Sequence, residues 1–151
     1  MTNTMDKVTF HYVDVSFYFP KRTQLKSFLL QQLRKEGRKV EALNYVFCTD
    51  EYLLTMNQQY LQHDTLTDII TFELSPKAQP LVADIYISVE RVRENALTFR
   101  TSFKDEILRV IFHGALHLSG YKDKTSADTQ LMRKKEEEYL GIYSTWNIDQ
   151  K

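Results

Sequence analysis

The alternation of strand-like and helix-like periodicities along this chain predicts an α/β (α+β) fold, a small mixed β-sheet of about four strands covered by helices. Three observations carry that expectation. β-branched and aromatic runs alternate with helical segments in the order β-α-β-α-β-β through residue 88. From residue 89 on there are three helical segments and no strand signal. A length of 151 residues suits one domain, residues 1–151, with one core.

Val8, Phe10 and Tyr12 alternate with Thr9, His11 and Val13, a first strand that ends before Pro20. Leu25, Phe28, Leu29 and Leu33 recur at helical spacing over 21–35, after a proline that suits a helix start and before Gly37, which suits its stop. A second strand follows over 43–48, and Asp50 is placed to cap a short helix running through Leu54 to Tyr60. The apolar run around Ile69, Ile70 and Phe72 reads as a buried strand, Ser75 to Pro80 as a turn, and 84–88 as the partner strand. Helices are expected over about 89–99, 103–118 and 126–140, the last closed by Gly141.

Composition narrows the class. With 42% hydrophobic and 26% charged residues, 4 Gly and 3 Pro, the chain is neither collagen-like, low-complexity nor wholly disordered. No apolar run approaches the ~20 residues needed to cross a bilayer, and the first residues lack the basic and apolar blocks of a secretory signal. A cytoplasmic protein without a membrane partner is expected. The single cysteine, Cys48, cannot form an internal disulfide, reads as a small buried apolar residue, and leaves any metal to His and carboxylate.

The 20 basic and 20 acidic residues cancel, but in blocks. Residues 21–39 hold Lys21, Arg22, Lys26, Arg34, Lys35, Arg38 and Lys39 against Glu36 alone, and 91–104 hold Arg91, Arg93, Arg100 and Lys104 against Glu94. Residues 40–90 carry eight acids and only Lys77. The basic blocks read either as solvated helix faces or as a ledge for polyanion phosphates.

The segment over 103–118 is apolar almost all round, from Phe103 to Leu118, and such a helix belongs at the centre of a domain. Ser102 followed three residues later by Asp105 has the spacing of a capping box. At ~100° per residue, Glu106, Arg109, His113 and His117 fall on one narrow stripe. A polar stripe of this kind also suits the one side of a core helix that meets water. His113 and His117 stand at i, i+4, however, and imidazoles so spaced can converge on one metal ion. Gly114 costs ~1 kcal/mol relative to alanine inside a helix, which points to close approach of another backbone or of substrate. Ser119, Gly120 and Tyr121 can turn the chain so that Asp123 swings back to complete a triad of ligands.

Two imidazoles and a carboxylate leave one position open for water on a four-coordinate zinc ion, and zinc lowers the pKa of water from ~16 toward about 7. Hydrolysis is the natural reaction class. The zincin peptidase motif is not met, because Gly114 stands where it needs Glu. Iron(II) oxygenases with two His and one carboxylate carry them as H-x-D on a β-barrel.

The run H-G-A-L-H-L-S-G-Y-K-D, from His113 to Asp123, closely resembles the metal-binding signature H-G-x-L-H-L-x-G-Y-D-H of the YbeY family of bacterial endoribonucleases. The segment from Asn57 to Tyr60 and then Asp64 to Phe72 resembles the family's N-x-x-Y-R…D-x-P-T-D-V-L-S-F, and Ala83 to Ser88 its G-D-I-x-I-S strand. The resemblance spans residues 41–141. It implies a single-domain metalloprotein with one zinc ion on a central helix, held by His113, His117 and Asp123, and no organic cofactor. It further implies cleavage of single-stranded RNA in ribosomal RNA maturation, notably at the 3′ end of the small-subunit RNA, and a part in ribosome quality control. The implied partners are a ribosomal RNA precursor and the ribosome or its small subunit.

The departures from the pattern matter. Asp123 stands where the family usually has His, and a carboxylate softens the Lewis acidity of the site, leaving manganese, iron and nickel open beside zinc. Leu61 replaces an arginine. Arg109, one turn before His113, is a candidate phosphate contact in its place, or a partner of Glu106 or a nearby acid. Leu66 for Pro and Ala83 for Gly are backbone changes. Thr67, Asp68 and Asp84 match the family, and the acids either orient a ligand imidazole or serve the strand ends. His11 and His63 lack a spacing partner and read as ordinary strand and loop histidines. The alternative to an enzyme is a non-catalytic RNA-binding or ribosome-assembly factor stabilised by its metal.

Overall fold

In the computed structural model, which describes residues 7–17, 19–61, 67–76 and 78–146, the alternating runs form β1 (Val8–Tyr12), β2 (Val40–Cys48), β3 (Ile69–Glu73) and β4 (Leu81–Ser88). The helical runs form α1 (Arg22–Lys35), α2 (Asp50–Met56), α3 (Val89–Phe99), α4 (Phe103–Leu118) and α5 (Ser126–Thr145), in the order the periodicities predict. The sheet runs β1-β2-β4-β3, with β1, β2 and β4 parallel and β3 antiparallel to β4. A parallel pair needs a crossover, and α1 supplies the first. His63, Asp64, Thr65 and Leu66 lie outside the described residues, as does the side chain of Leu61.

Local chemistry sets the element ends. α1 starts from Lys21 in the left-handed region (φ 56°) and stops at Gly37 (φ 86°), whose N–H donates to the carbonyl of Arg34. Thr49, not Asp50, caps α2: its hydroxyl accepts from the Tyr52 N–H at 3.1 Å. Asp50 instead accepts from the Ser88 hydroxyl and from Arg91, tying α2 to the start of α3. A turn of π-helix over Asn57–Leu61 replaces the expected last turn of α2. α5 passes Gly141 and continues to Thr145, because Tyr143 and Trp146 pack on Phe28 of α1 with ring centroids 5.0 and 5.5 Å away. Apolar burial there outweighs the cost of a helical glycine.

Leu81, Ala83, Ile85 and Ile87 alternate along β4 into the main core, where they meet α1 and α4, while Tyr86 faces the smaller cluster under α2 with Leu53 and Ile70. α4 lies across the sheet, and Gly114 is what lets it settle. A Cβ there would stand 3.0 Å from the Cδ1 atoms of Ile69 and Ile85 and 3.3 Å from Ile85 Cγ2. The expected close approach is therefore real, but its source is the sheet's side chains and not a backbone or a substrate. Ile85 has no exposed surface into which to retreat. Gly114→Ala should lower stability by about 1 kcal/mol, overpacking outweighing the gain in helix propensity. Urea unfolding reads this, and a stabilised variant would show that the isoleucines repack freely.

Candidate functional site

The polar stripe of α4 meets open water only at His117; the rest is buried or half-buried. From Glu106 to His113 it faces α5 across a cavity of about 340 Å³ lined by Asp68, Glu106, Arg109, His113, Asp123 and Glu136, with Arg133 also on its wall. Glu106 and Glu136 are only 4% and 5% exposed, so both carboxylates must find partners inside the fold. Arg109 provides them, with Nε 3.7 Å from Glu106, Nη1 3.2 Å from Glu136 and Nη2 on Glu137. Of the two roles open to Arg109, the structure shows the ion-pairing one: every nitrogen of its guanidinium faces an acid, and none is displayed as a free phosphate contact.

The second oxygen of Glu136 accepts from His113 Nδ1 at 2.7 Å. That bond places the ring proton on Nδ1 and turns Nε2 outward, where Asp123 Oδ2 lies 3.4 Å away. This is long for a hydrogen bond. Two ligands each ~2.0–2.1 Å from a tetrahedral zinc ion stand about 3.3–3.4 Å apart. A ring nitrogen and a carboxylate oxygen facing one another in this way can share a proton when the imidazole is charged or hold a cation between them when it is not, and the donor types would suit a divalent metal. Glu136 fixes the tautomer of this imidazole, the part an outer carboxylate plays toward an imidazole that binds a metal.

Asp123 reaches this point because the chain turns sharply after α4. The Tyr121 N–H returns to the Leu116 carbonyl, Gly120 takes φ 108°, and the Tyr121 hydroxyl donates to Glu36 at 3.1 Å. His117 is not gathered in. Its exposed ring borders a neighbouring depression with Arg38 and Glu73, so the structure brings together two of the three expected ligands. Among the described residues no three His, Cys, Asp or Glu side chains stand ready around one point. No hydrogen bond to a described residue is recorded for the His117 ring, one helical turn from His113.

Burial lowers the pKa of His113, but the hydrogen bond and charge of Glu136, together with the charges of Asp68 and Asp123, more than reverse this, and the net direction is up. Burial raises Asp68 and Glu106, opposed by His113 and by Arg109 respectively. Burial pushes the Cys48 thiol up to about 12, in keeping with an inert apolar residue. Asp68 is on the cavity wall, accepting from Asn95 at 3.3 Å, yet it does not hold the imidazole. Asp84 accepts from Asn44 across the β2–β4 pair, a structural role, and His11 contacts Thr9 on β1.

Two residues on the cavity escape a reading of the sequence. Glu136 sits in a run of charged residues that reads as a solvated helix face; only its spacing from Met132 and Tyr139, both buried, hints at an inward position. Arg133 is exposed on the rim, and no ion pair with a described residue is recorded for it.

A folded pKa raised above the unfolded value means that the proton on His113 stabilises the fold. In metal-free protein this contribution is complete below the ordinary value of 6.5 and is lost as the pH rises through the folded value. Glu136→Gln should flatten that loss. Urea midpoints on either side of neutrality, in chelator, would reveal it, and an unchanged pH dependence would show that Glu136 does not hold the proton.

Comparison with known proteins adds a further observation. Residues 15–144 match the family model described as Endoribonuclease YbeY. A protein named Endoribonuclease YbeY from Flavobacterium psychrophilum is 46% identical over 136 residues, covering 90% of this chain and 96% of the relative. The protein of that name from Cytophaga hutchinsonii is 42% identical, covering 91% and 96%. The solution structure of TM1509 from Thermotoga maritima matches with a TM-score of 0.60 and 26% identity, over 90% of this chain and 88% of that one.

Proposed function

The chain belongs to the YbeY endoribonuclease family, and from that premise we propose that it is a metal-dependent enzyme cleaving single-stranded RNA during ribosomal RNA maturation. The observation that carries the metal reading is the facing pair, His113 Nε2 and Asp123 Oδ2 at 3.4 Å, with Nδ1 of the same ring tied to Glu136. His117, turning about its side-chain bonds, would join them as the third ligand. One zinc ion is the simplest occupant, and the mixed nitrogen and oxygen set also suits manganese or iron. Such an ion would activate water and polarise a phosphoryl oxygen.

Charge supports the same reading. Asp68, Glu106, Asp123 and Glu136 outnumber Arg109 and Arg133 around the cavity. A cavity so lined repels a phosphodiester until a divalent cation sits in it. Glu136 orients the imidazole, Arg109 holds Glu136, and Arg133 is the guanidinium left to meet a substrate phosphate. In the full reading the substrate is the small-subunit precursor at its 3′ end, the partner is the ribosome or its small subunit, the setting is the cytoplasm, and the enzyme contributes to ribosome quality control. Among the described residues no helix is long and apolar enough to cross a membrane.

His113→Ala and His117→Ala should each reduce cleavage of single-stranded RNA by at least ~10²-fold and lower the metal content found by elemental analysis, with the fold retained. Full activity in either variant, or in chelated protein, would sink the metal reading. A matching fall in thermal stability and RNA binding would favour the non-catalytic alternative. Arg133→Ala should raise KM for RNA several-fold with little change in kcat, because a phosphate contact made equally in ground and transition states acts on binding. A fall confined to kcat would place Arg133 at the reacting group instead.

A further inference from the structure

Taking the reading of the chain as an RNA-cleaving enzyme as its basis, we infer that the depression between the end of α1 and the start of β2 is a phosphate track, which leads a single-stranded RNA away from the site past His117. The depression, about 460 Å³, is lined by Lys7, Leu30, Arg34, Gly37, Arg38, Lys39 and Val40, four cations and no carboxylate. Gly37, Arg38 and Lys39 also line the neighbouring depression that holds His117 and Glu73. The two therefore adjoin along this segment, and the second reaches His117, a helical turn from His113.

Arg38 is the fixed member. Its Nη1 donates to the Leu118 carbonyl at the end of α4 at 2.7 Å, and its Nη2 pairs with Glu73 at 3.1 Å. This takes up the one carboxylate of the adjoining depression. Among the described residues, Lys7, Arg34 and Lys39 form no ion pair. Basic residues in the last turn of a helix are ordinarily explained by the helix dipole, which accounts for Arg34. It does not account for Lys7, just before β1, or Lys39, just before β2, which come from other parts of the chain to the same hollow. Like charges so gathered repel unless a polyanion neutralises them. The basic block of residues 21–39 is in this part a binding surface and not merely a solvated helix face.

The test uses metal-loaded protein and a cleavage-resistant, labelled single-stranded RNA of about 16 nucleotides, long enough to leave the site. The triple variant Lys7→Gln/Arg34→Gln/Lys39→Gln should bind it about 10- to 100-fold more weakly near 0.1 M salt, and the slope of log affinity against log salt should shrink by about 2, at ~0.7 per phosphate contact. The double variant Arg34→Gln/Lys39→Gln, which spares the less exposed Lys7, should show about two-thirds of that change in slope. Cleavage of a fragment of about four nucleotides, too short to follow the track, should be unchanged.

Wild-type affinity and slope in the triple variant would overturn the inference. So would an equal loss in Arg22→Gln/Lys104→Gln/Lys134→Gln, which removes the same charge elsewhere, or a wild-type protein that does not bind the RNA. Failure of the metal reading is told apart by its own sign, undiminished cleavage in chelator, which leaves the salt slopes unaffected.

Discussion

A carboxylate enclosed between two helices has to be paired or protonated, and at Glu136 each oxygen has its own cationic or N–H partner on α4. Oε1 meets Arg109 and Oε2 meets His113, 3.2 and 2.7 Å away. Those two contacts lie one turn apart on α4, so they set the register of α5 against it. They also decide which nitrogen of His113 carries the proton and where its lone pair points. The packing of the two helices and the chemistry of the site are thus one arrangement, and neither can shift without the other.

Glu36, just past the end of α1, secures the other side. It accepts from the hydroxyls of Tyr121 and Tyr139, both at 3.1 Å, and pairs with Lys135 at 3.7 Å. This joins the turn after α4 and the middle of α5 to the same carboxylate. Asp123 lies two residues beyond Tyr121, so its approach to His113 follows from that anchorage. The loop is held by hydrogen bonds on both flanks, which suits a group whose position has to be kept to fractions of an ångström.

α4 carries the site because it is buried on its other sides. Phe112 packs into an aromatic cluster with Phe28, Tyr139 and Tyr143, and the Ile111 carbonyl accepts from the buried Tyr45 hydroxyl of β2 at 2.9 Å. A helix gripped this closely by sheet and helices presents its polar stripe in a fixed direction. The cavity along its stripe is acidic, whereas the depression at the end of α1, which adjoins the one at the C-terminal end of α4, is basic. On the proposed reading, an acidic centre that would take a cation, flanked by a basic surface that would take phosphate, reconciles zero net charge with an RNA substrate.

The order and type of every strand and helix were legible in the sequence, since periods of two and 3.6 residues report directly which face of an element is buried. So was the kinship of the run from His113 to Asp123, because the turn chemistry of Ser119 and Gly120 and the spacing of the histidines are local. Helix ends were less so: Thr49 outcompeted Asp50 as a cap, and α5 ignored Gly141 once Tyr143 and Trp146 found Phe28. What tertiary structure alone decided is which polar groups meet across elements. Glu136 becomes the partner of His113, Arg109 is consumed by three acids, Lys7 joins Arg34 and Lys39, and Gly114 admits the isoleucines of β3 and β4. Burial and pairing of charge depend on residues distant in the chain, and sequence spacing within one element carries no record of what the next element brings to it.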